Sequence, residues 1–330
     1  MTMLFSTIEV SHMNKKLIAV AVAGIVAAPA AYADISAYGR INNRIVIADN
    51  DDIDMQTSGS RFGFKGSGDM GNGMSAFARY EFSTNTTNAS ANTTNASGGG
   101  SGIGRRLAFV GMSGPFGSIS LGQQWTAYFQ NLGTHASLNI VRGPGQIGPG
   151  RAGNTIQYAN SFGPVSLKLD ARVDDSNDND SRGWSTYNGN GFGGGVTITP
   201  MDNITLAVAF DSADGSGSNE DRDNIGAAAI FGFGGLTFTL AHEQQDVGDD
   251  EESNNTLLWL GGGVTDQLSM RVGYGTSETE NASGTSETDN LALIGVLNMG
   301  GGLKLWGEFT NVDTGATDTD QIALGVRLDF

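Results

Sequence analysis

Along most of the chain every second residue is apolar. Ile322, Leu324, Val326, Leu328 and Phe330 alternate with Gln321, Ala323, Gly325, Arg327 and Asp329. Val165, Leu167, Leu169, Ala171 and Val173 alternate with Ser166, Lys168, Asp170 and Arg172. Met74, Ala76, Ala78, Tyr80 and Phe82 alternate with Ser75, Phe77, Arg79 and Glu81. A period of two places one set on each face of a β-strand. Amphipathic helical repeats are scarce, and past the N-terminal segment no stretch reaches the roughly 18 apolar residues of a membrane helix. The pattern predicts strands over 34–48, 58–68, 73–83, 104–113, 117–126, 153–161, 164–173, 189–199, 202–212, 223–233, 235–244, 254–264, 266–276, 289–299, 302–312 and 320–330.

One wet and one dry face suit either a soluble sandwich or a membrane barrel. In the first the dry face is a core; in the second it meets lipid and the wet face lines a lumen. Three features favour the barrel. Long charged side chains recur on the wet face. Short connections, such as Pro115-Phe116, Pro200-Met201 and Gly234-Gly235, alternate with long ones near 49–57, 84–103, 127–152, 174–188, 213–222, 245–253, 277–288 and 313–319. The third feature is an export signal. Lys15 and Lys16 precede an apolar run from Leu17 to Pro29, and Ala31-Tyr32-Ala33 has the small-residue form of a cleavage site. Residues 1–33 read as a cleaved signal peptide, with Met13 as a possible start, and 34–330 as the barrel. The fold class is therefore all-β: a 16-stranded antiparallel transmembrane β-barrel. Sixteen strands enclose an aqueous channel, and an even count returns both ends to the short-turn side.

Composition sharpens this picture. The chain has 50 Gly, no Cys and a formal charge of −17. Removing residues 1–33 takes away Lys15, Lys16 and Glu9, which moves the charge to −18. An acidic chain lacks the basic footprint of nucleic-acid binding. Much of the acid lies in expected loops: Asp174–Asp180, Asp246–Glu252 and Glu278–Asp289. Thr84–Gly102 is rich in Asn, Thr, Ser and Gly, a composition that stays solvated.

Several segments resemble the general bacterial, Gram-negative type, outer-membrane porins. They are Asp34-Ile35-Ser36-Ala37-Tyr38-Gly39-Arg40, Ser60 to Gly66, Arg105 to Met112, Phe116 to Gln124, Arg151 to Tyr158, and the strand ending in Phe330. The resemblance implies an outer-membrane channel for small hydrophilic solutes and ions, and a homotrimer. It implies a third loop folded into each barrel, and an Asn/Thr-rich second loop reaching over a neighbour. It also implies that Phe330 is the signal read by the outer-membrane assembly machinery, with lipid around the barrel.

A passive channel needs no catalyst and no cofactor; its selectivity comes from charges at the narrowest section. Strand parity assigns them. With Gly39, Ile41, Phe62 and Phe64 outward, Arg40, Arg44, Arg61 and Lys65 point inward. Arg79 is inward between Ala78 and Tyr80, and Arg106 is inward if Leu107 and Phe109 face lipid. The third loop and its return add His135, Arg142 and Arg151. The family sets carboxylates on this loop, yet no Asp or Glu lies between Glu81 and Asp170. The rival readings are a substrate- or anion-selective channel and, in another class, a structural or adhesive barrel with a filled lumen. Gly143 to Gly150 lacks the Lys-Ser/Thr of a phosphate loop. Neither His135 nor His242 has the partners a hydrolase requires.

Overall fold

The computed structural model describes residues 34–49, 52–87, 102–136, 148–173, 190–215, 220–248 and 251–330. Residues 1–33, expected to be a signal peptide, Arg142 and the acidic stretch 174–180 lie outside them. Seventeen strands follow in order: β1 (Asp34–Ala48), β2 (Asp54–Thr57), β3 (Arg61–Gly71), β4 (Met74–Thr84), β5 (Ile103–Gly114), β6 (Gly117–Trp125), β7 (Arg151–Phe162), β8 (Val165–Arg172), β9 (Gly191–Met201), β10 (Ile204–Ala213), β11 (Arg222–Phe233), β12 (Leu236–Val247), β13 (Glu251–Gly263), β14 (Leu268–Asn281), β15 (Gly284–Gly300), β16 (Leu303–Asp313) and β17 (Asp318–Asp329). Each pairs antiparallel with its neighbours, and β1 returns to β17, from Arg40 opposite Asp329 to Ala48 opposite Gln321. Gly39 and Phe330 exchange backbone hydrogen bonds at the seam, at 2.7 and 3.0 Å.

β2 and β3 are two parts of one stave, so the closed barrel has sixteen. Gly59, at φ 69°, breaks this stave, and side chains repair the ladder there. The Asn42 backbone N–H donates to Ser60 Oγ (2.9 Å), and Asn42 Nδ2 donates to the Ser58 carbonyl (2.7 Å). Unpaired backbone groups cost several kcal/mol in hydrocarbon, which is why the break is bridged.

Every predicted strand has its counterpart, with differences at the loop ends. The strand expected over 58–68 is displaced to 61–71, and 54–57 pairs rather than looping. The expected acidic loop 277–288 is largely sheet. β14 and β15 continue into it in register, with Glu278 opposite Glu287 and Asn281 opposite Gly284. Ser and Thr pair well across strands, and Gly284, at φ 128°, supports the tight reversal. The connection expected over 245–253 shortens likewise, since β12 runs to Val247 and β13 starts at Glu251.

The two faces separate cleanly: Leu324 is 57% exposed on the outside, while Ala323 is 1% exposed on the inside. Inward Trp and Gly residues interlock. The Trp306 ring lies over Gly325, and the Trp259 ring lies over Gly273. A Cβ at Gly325 would stand 2.1 Å from Trp306 Cε2, whereas one at Gly295 meets nothing within 4 Å. Gly325→Ala should therefore lower the stability of the refolded barrel by about 1–3 kcal/mol, the usual cost of overpacking. Gly295→Ala should leave the urea midpoint in detergent near the parent value; equal midpoints for both variants would remove the Trp306 contact from the account.

Candidate functional site

The basic cluster is built by alternation on adjacent strands. β1 turns Tyr38, Arg40 and Arg44 inward, β3 turns Arg61 and Lys65, and β4 turns Arg79 and Glu81. Glu81, 1% exposed, sits at the centre. Its Oε1 lies 2.8 Å from Arg106 Nε, and its Oε2 lies 3.0 Å from Arg79 Nη2 and 3.7 Å from Arg61 Nε. Tyr38 completes the set: its hydroxyl donates to Glu81 Oε2 (3.0 Å) and accepts from Arg79 Nε (2.7 Å). One carboxylate thus gathers three guanidinium groups, so the cluster keeps an excess of positive charge.

Arg106 reaches this cluster by a route the parity argument misses. The β4–β5 register shifts between Glu81, opposite Leu107, and Phe82, opposite Arg105. A bulge of this kind turns the extra residue out of strict alternation. Leu107 is fully buried, and Phe109 stands opposite Arg79 with its ring edge-on to Phe77 at 6.4 Å. The expectation that Leu107 and Phe109 face lipid is therefore corrected; Ala108 and Val110 take that side, and Val110 is exposed.

Trp125, at the end of β6, links the wall to the third loop. Arg106 and Arg151 lie over its ring, with 5.9 and 5.1 Å to the centroid, and Phe129 stacks on it at 4.2 Å. Arg151 lies opposite Trp125 in register and is within electrostatic reach of Glu81, Arg61 and Arg106.

Beyond Trp125 the chain makes a π-helical turn, Phe129–Gly133, that runs into Thr134–Ala136. This segment packs against the inner face of β9 to β12, where small residues leave room for it. Leu132 lies over Gly226, and Asn131 lies over Gly195. Tyr128, Leu132 and Ala136 join Ala207, Ala209, Ala228 and Ala241 in one apolar cluster. Polar bonds fix the segment. The Asp170 carboxylate accepts the Ala127 N–H, Tyr128 Oη donates to Glu243 Oε1 (2.9 Å), and Thr197 Oγ1 donates to Asn131 Oδ1 (3.1 Å). His135 lies half-buried here, and burial lowers its pKa below the usual range. At neutral pH it therefore adds no positive charge.

The remaining wall candidates are dispersed. Arg40 pairs with Asp329 (2.7 Å), which also takes Arg327 (2.8 Å) and Lys304 (3.8 Å). Arg44 donates to Gln56 and Ser58 and, like Arg271, interacts with buried Glu308. Lys65 is exposed opposite Arg79. The structure therefore brings Arg61, Arg79, Arg106 and Arg151 together, leaves Arg40, Arg44 and Lys65 along the same wall, and does not describe Arg142. Tyr38, Trp125, Glu243 and Arg271 were not singled out by the sequence. Only the inward parity of Tyr38, Glu243 and Arg271 carried a signal.

The family model described as Gram-negative porin matches residues 19–317. Outer membrane porin PhoE of Enterobacter cloacae is 26% identical over 233 residues, which cover 64% of this chain and 61% of that protein. The match thus spans under two thirds of that relative's length. Among solved structures, the anion-selective porin from Comamonas acidovorans superposes with a TM-score of 0.74 at 20% identity, covering 91% of this chain and all of that one. OmpF of Salmonella typhi, solved with daunomycin, superposes with a TM-score of 0.75 at 17% identity, covering 90% and 97%.

Glu81→Gln should leave three guanidinium groups facing one another. We expect a loss of about 2–3 kcal/mol, below the cost of breaking a fully buried pair because the arginines are partly solvated. In the folded fraction, reversal potentials in a KCl gradient should move toward anions. Unchanged potentials would place the cluster off the conducting path.

Proposed function

The chain belongs to the Gram-negative porin family, and on that footing we propose that it forms a water-filled outer-membrane channel for passive diffusion of small hydrophilic solutes and ions. It acts as a channel and not as an enzyme. The observation that carries the finer reading is the convergence of Arg61, Arg79 and Arg106 on Glu81, with Arg151 beside them. Four cations around one carboxylate, where the third loop leaves the wall, favour anions locally. Charges act strongly where solvent is scarce.

The opposite sign prevails at the loop end of the barrel. Asp223, Asp246, Glu252 and Glu280 stand opposite one another on four successive strands. This rim concentrates cations at the mouth. Salt decides between the two, because the Debye length is about 3 Å at 1 M and about 30 Å at 0.01 M. At about 1 M KCl the distant rim is silenced, and the channel should show weak anion preference or near-neutrality; as salt falls it should drift toward cations. Reversal potentials at several mean concentrations measure this. Arg151→Ala, with Arg142→Ala, should shift selectivity toward cations. Strong cation preference persisting at high salt would overturn the anionic reading.

We assign residues 1–33 to a cleaved signal peptide, the protein to a homotrimer in lipid, and Phe330 to recognition by the assembly machinery. Phe330 supports this role by its outward position, 66% exposed with its ring over Gly39. Deleting Phe330 should leave unassembled chain in the periplasm, while the intact protein should run in unheated detergent gels near three times the monomer mass. Normal surface levels of the truncated chain would remove the signal role.

A further inference from the structure

Lys168 lies outside the cluster just described. It shares the inward face of β8 with Asp170, whose carboxylate holds the loop backbone at Ala127. Across the sheet, Ser113 stands opposite Ser118, Ser118 opposite Ala159, Ala159 opposite Lys168, and Lys168 opposite Gly195, the residue beneath Asn131 of the third loop. One step toward the turns, Ser161 stands opposite Ser166. Ser113, Ser118, Ala159, Ser161, Ser166 and Lys168 help to line an open recess of about 420 Å³ beside the short turns Pro115-Phe116 and Gly163-Pro164. Its volume falls among those of small-molecule sites, roughly 300–1,000 Å³.

The chemistry of the recess is one-sided. Lys168 is half-buried and makes no ion pair among the described residues. On the turn side its neighbours are the hydroxyls of Ser161 and Ser166; Ala159 and Gly195 stand directly opposite, and the Asp170 carboxylate on the loop side is engaged by the Ala127 N–H. Ser161 and Ser166 share one hydrogen bond (3.0 Å), which leaves a hydroxyl hydrogen for a further acceptor, and Ser113 lines the far side of the recess. A partly desolvated ammonium without a carboxylate is stabilised by a counter-ion, and hydroxyls orient an acceptor next to it.

We propose that this recess is a second anion site, which holds a small oxyanion on the short-turn side of the third loop. It rests on the reading of the protein as an anion-passing channel and extends it: an anion leaving the arginine cluster meets Lys168 before it reaches the turn-side mouth. The ligand class is a carboxylate, phosphate or sulfate group, bound by one ammonium and hydroxyl donors.

Sulfate is the probe, because its charge is constant over the pH range of the measurement. Single channels of the intact protein carry KCl current in planar bilayers, and sulfate is added to one side and then to the other. From the short-turn side it should reduce the current in a saturating manner. Lys168→Gln should raise the half-blocking concentration about tenfold, and Lys168→Arg should keep it within about twofold. Heat-shifted gel mobility confirms that each variant is folded before it is recorded. Block that does not saturate, or that is unchanged in Lys168→Gln, overturns the site. A channel that shows strong cation preference in 1 M KCl before any sulfate is added would fail the parent reading instead, so the two failures are distinguishable.

Discussion

Backbone hydrogen bonding in hydrocarbon governs this protein. Water is absent there, so every N–H and C=O on the lipid-embedded wall must find a partner within the sheet. An open edge would leave a row of such groups bare, so β1 has to meet β17. The seam from Arg40 opposite Asp329 to Ala48 opposite Gln321 meets that demand, and the exchange between Gly39 and Phe330 extends it. Closure then dictates the rest. Side chains outside must be apolar, those inside can be charged, and the interior is wide enough for a loop to enter.

The second organising contact is the one Glu81 makes. Guanidinium groups crowded on adjacent strands repel one another. A single buried carboxylate, with the Tyr38 hydroxyl as a relay, holds three of them at fixed positions. Trp125 extends the arrangement through its ring face, which two arginines share. The wall is thus positively charged and ordered at once.

The strands were legible because alternation with period two is a direct consequence of a dry face and a wet one. Inward residues on β1, β3 and β4 followed from parity alone. Parity failed on β5, where the register shift at Glu81/Phe82 sends Arg106 and Leu107 the same way; a bulge leaves no mark in the alternation of types. The acidic segment around Glu278 read as a loop because its charge masks its Ser/Thr pairing, which only the register of β14 with β15 reveals. The anchors of the third loop were hidden for another reason. Asp170 and Glu243 lie far along the chain from Ala127 and Tyr128, and the Gly and Ala residues that admit Leu132 look like ordinary strand residues.

The manner in which the third loop leaves the wall has a mechanical corollary. From Ala127 to Ala136 the chain is fastened at successive points: a carboxylate at Asp170, a hydroxyl bond to Glu243, an amide–hydroxyl bond to Thr197, and an apolar seat among alanines. With fastenings on five strands, β8 to β12, the segment from Ala127 to Ala136 deforms only as the wall beneath it deforms. It behaves as a rigid eyelet rather than a flap. Under the proposed channel function, a solute passing this edge would meet a fixed outline and be sieved by its own cross-section.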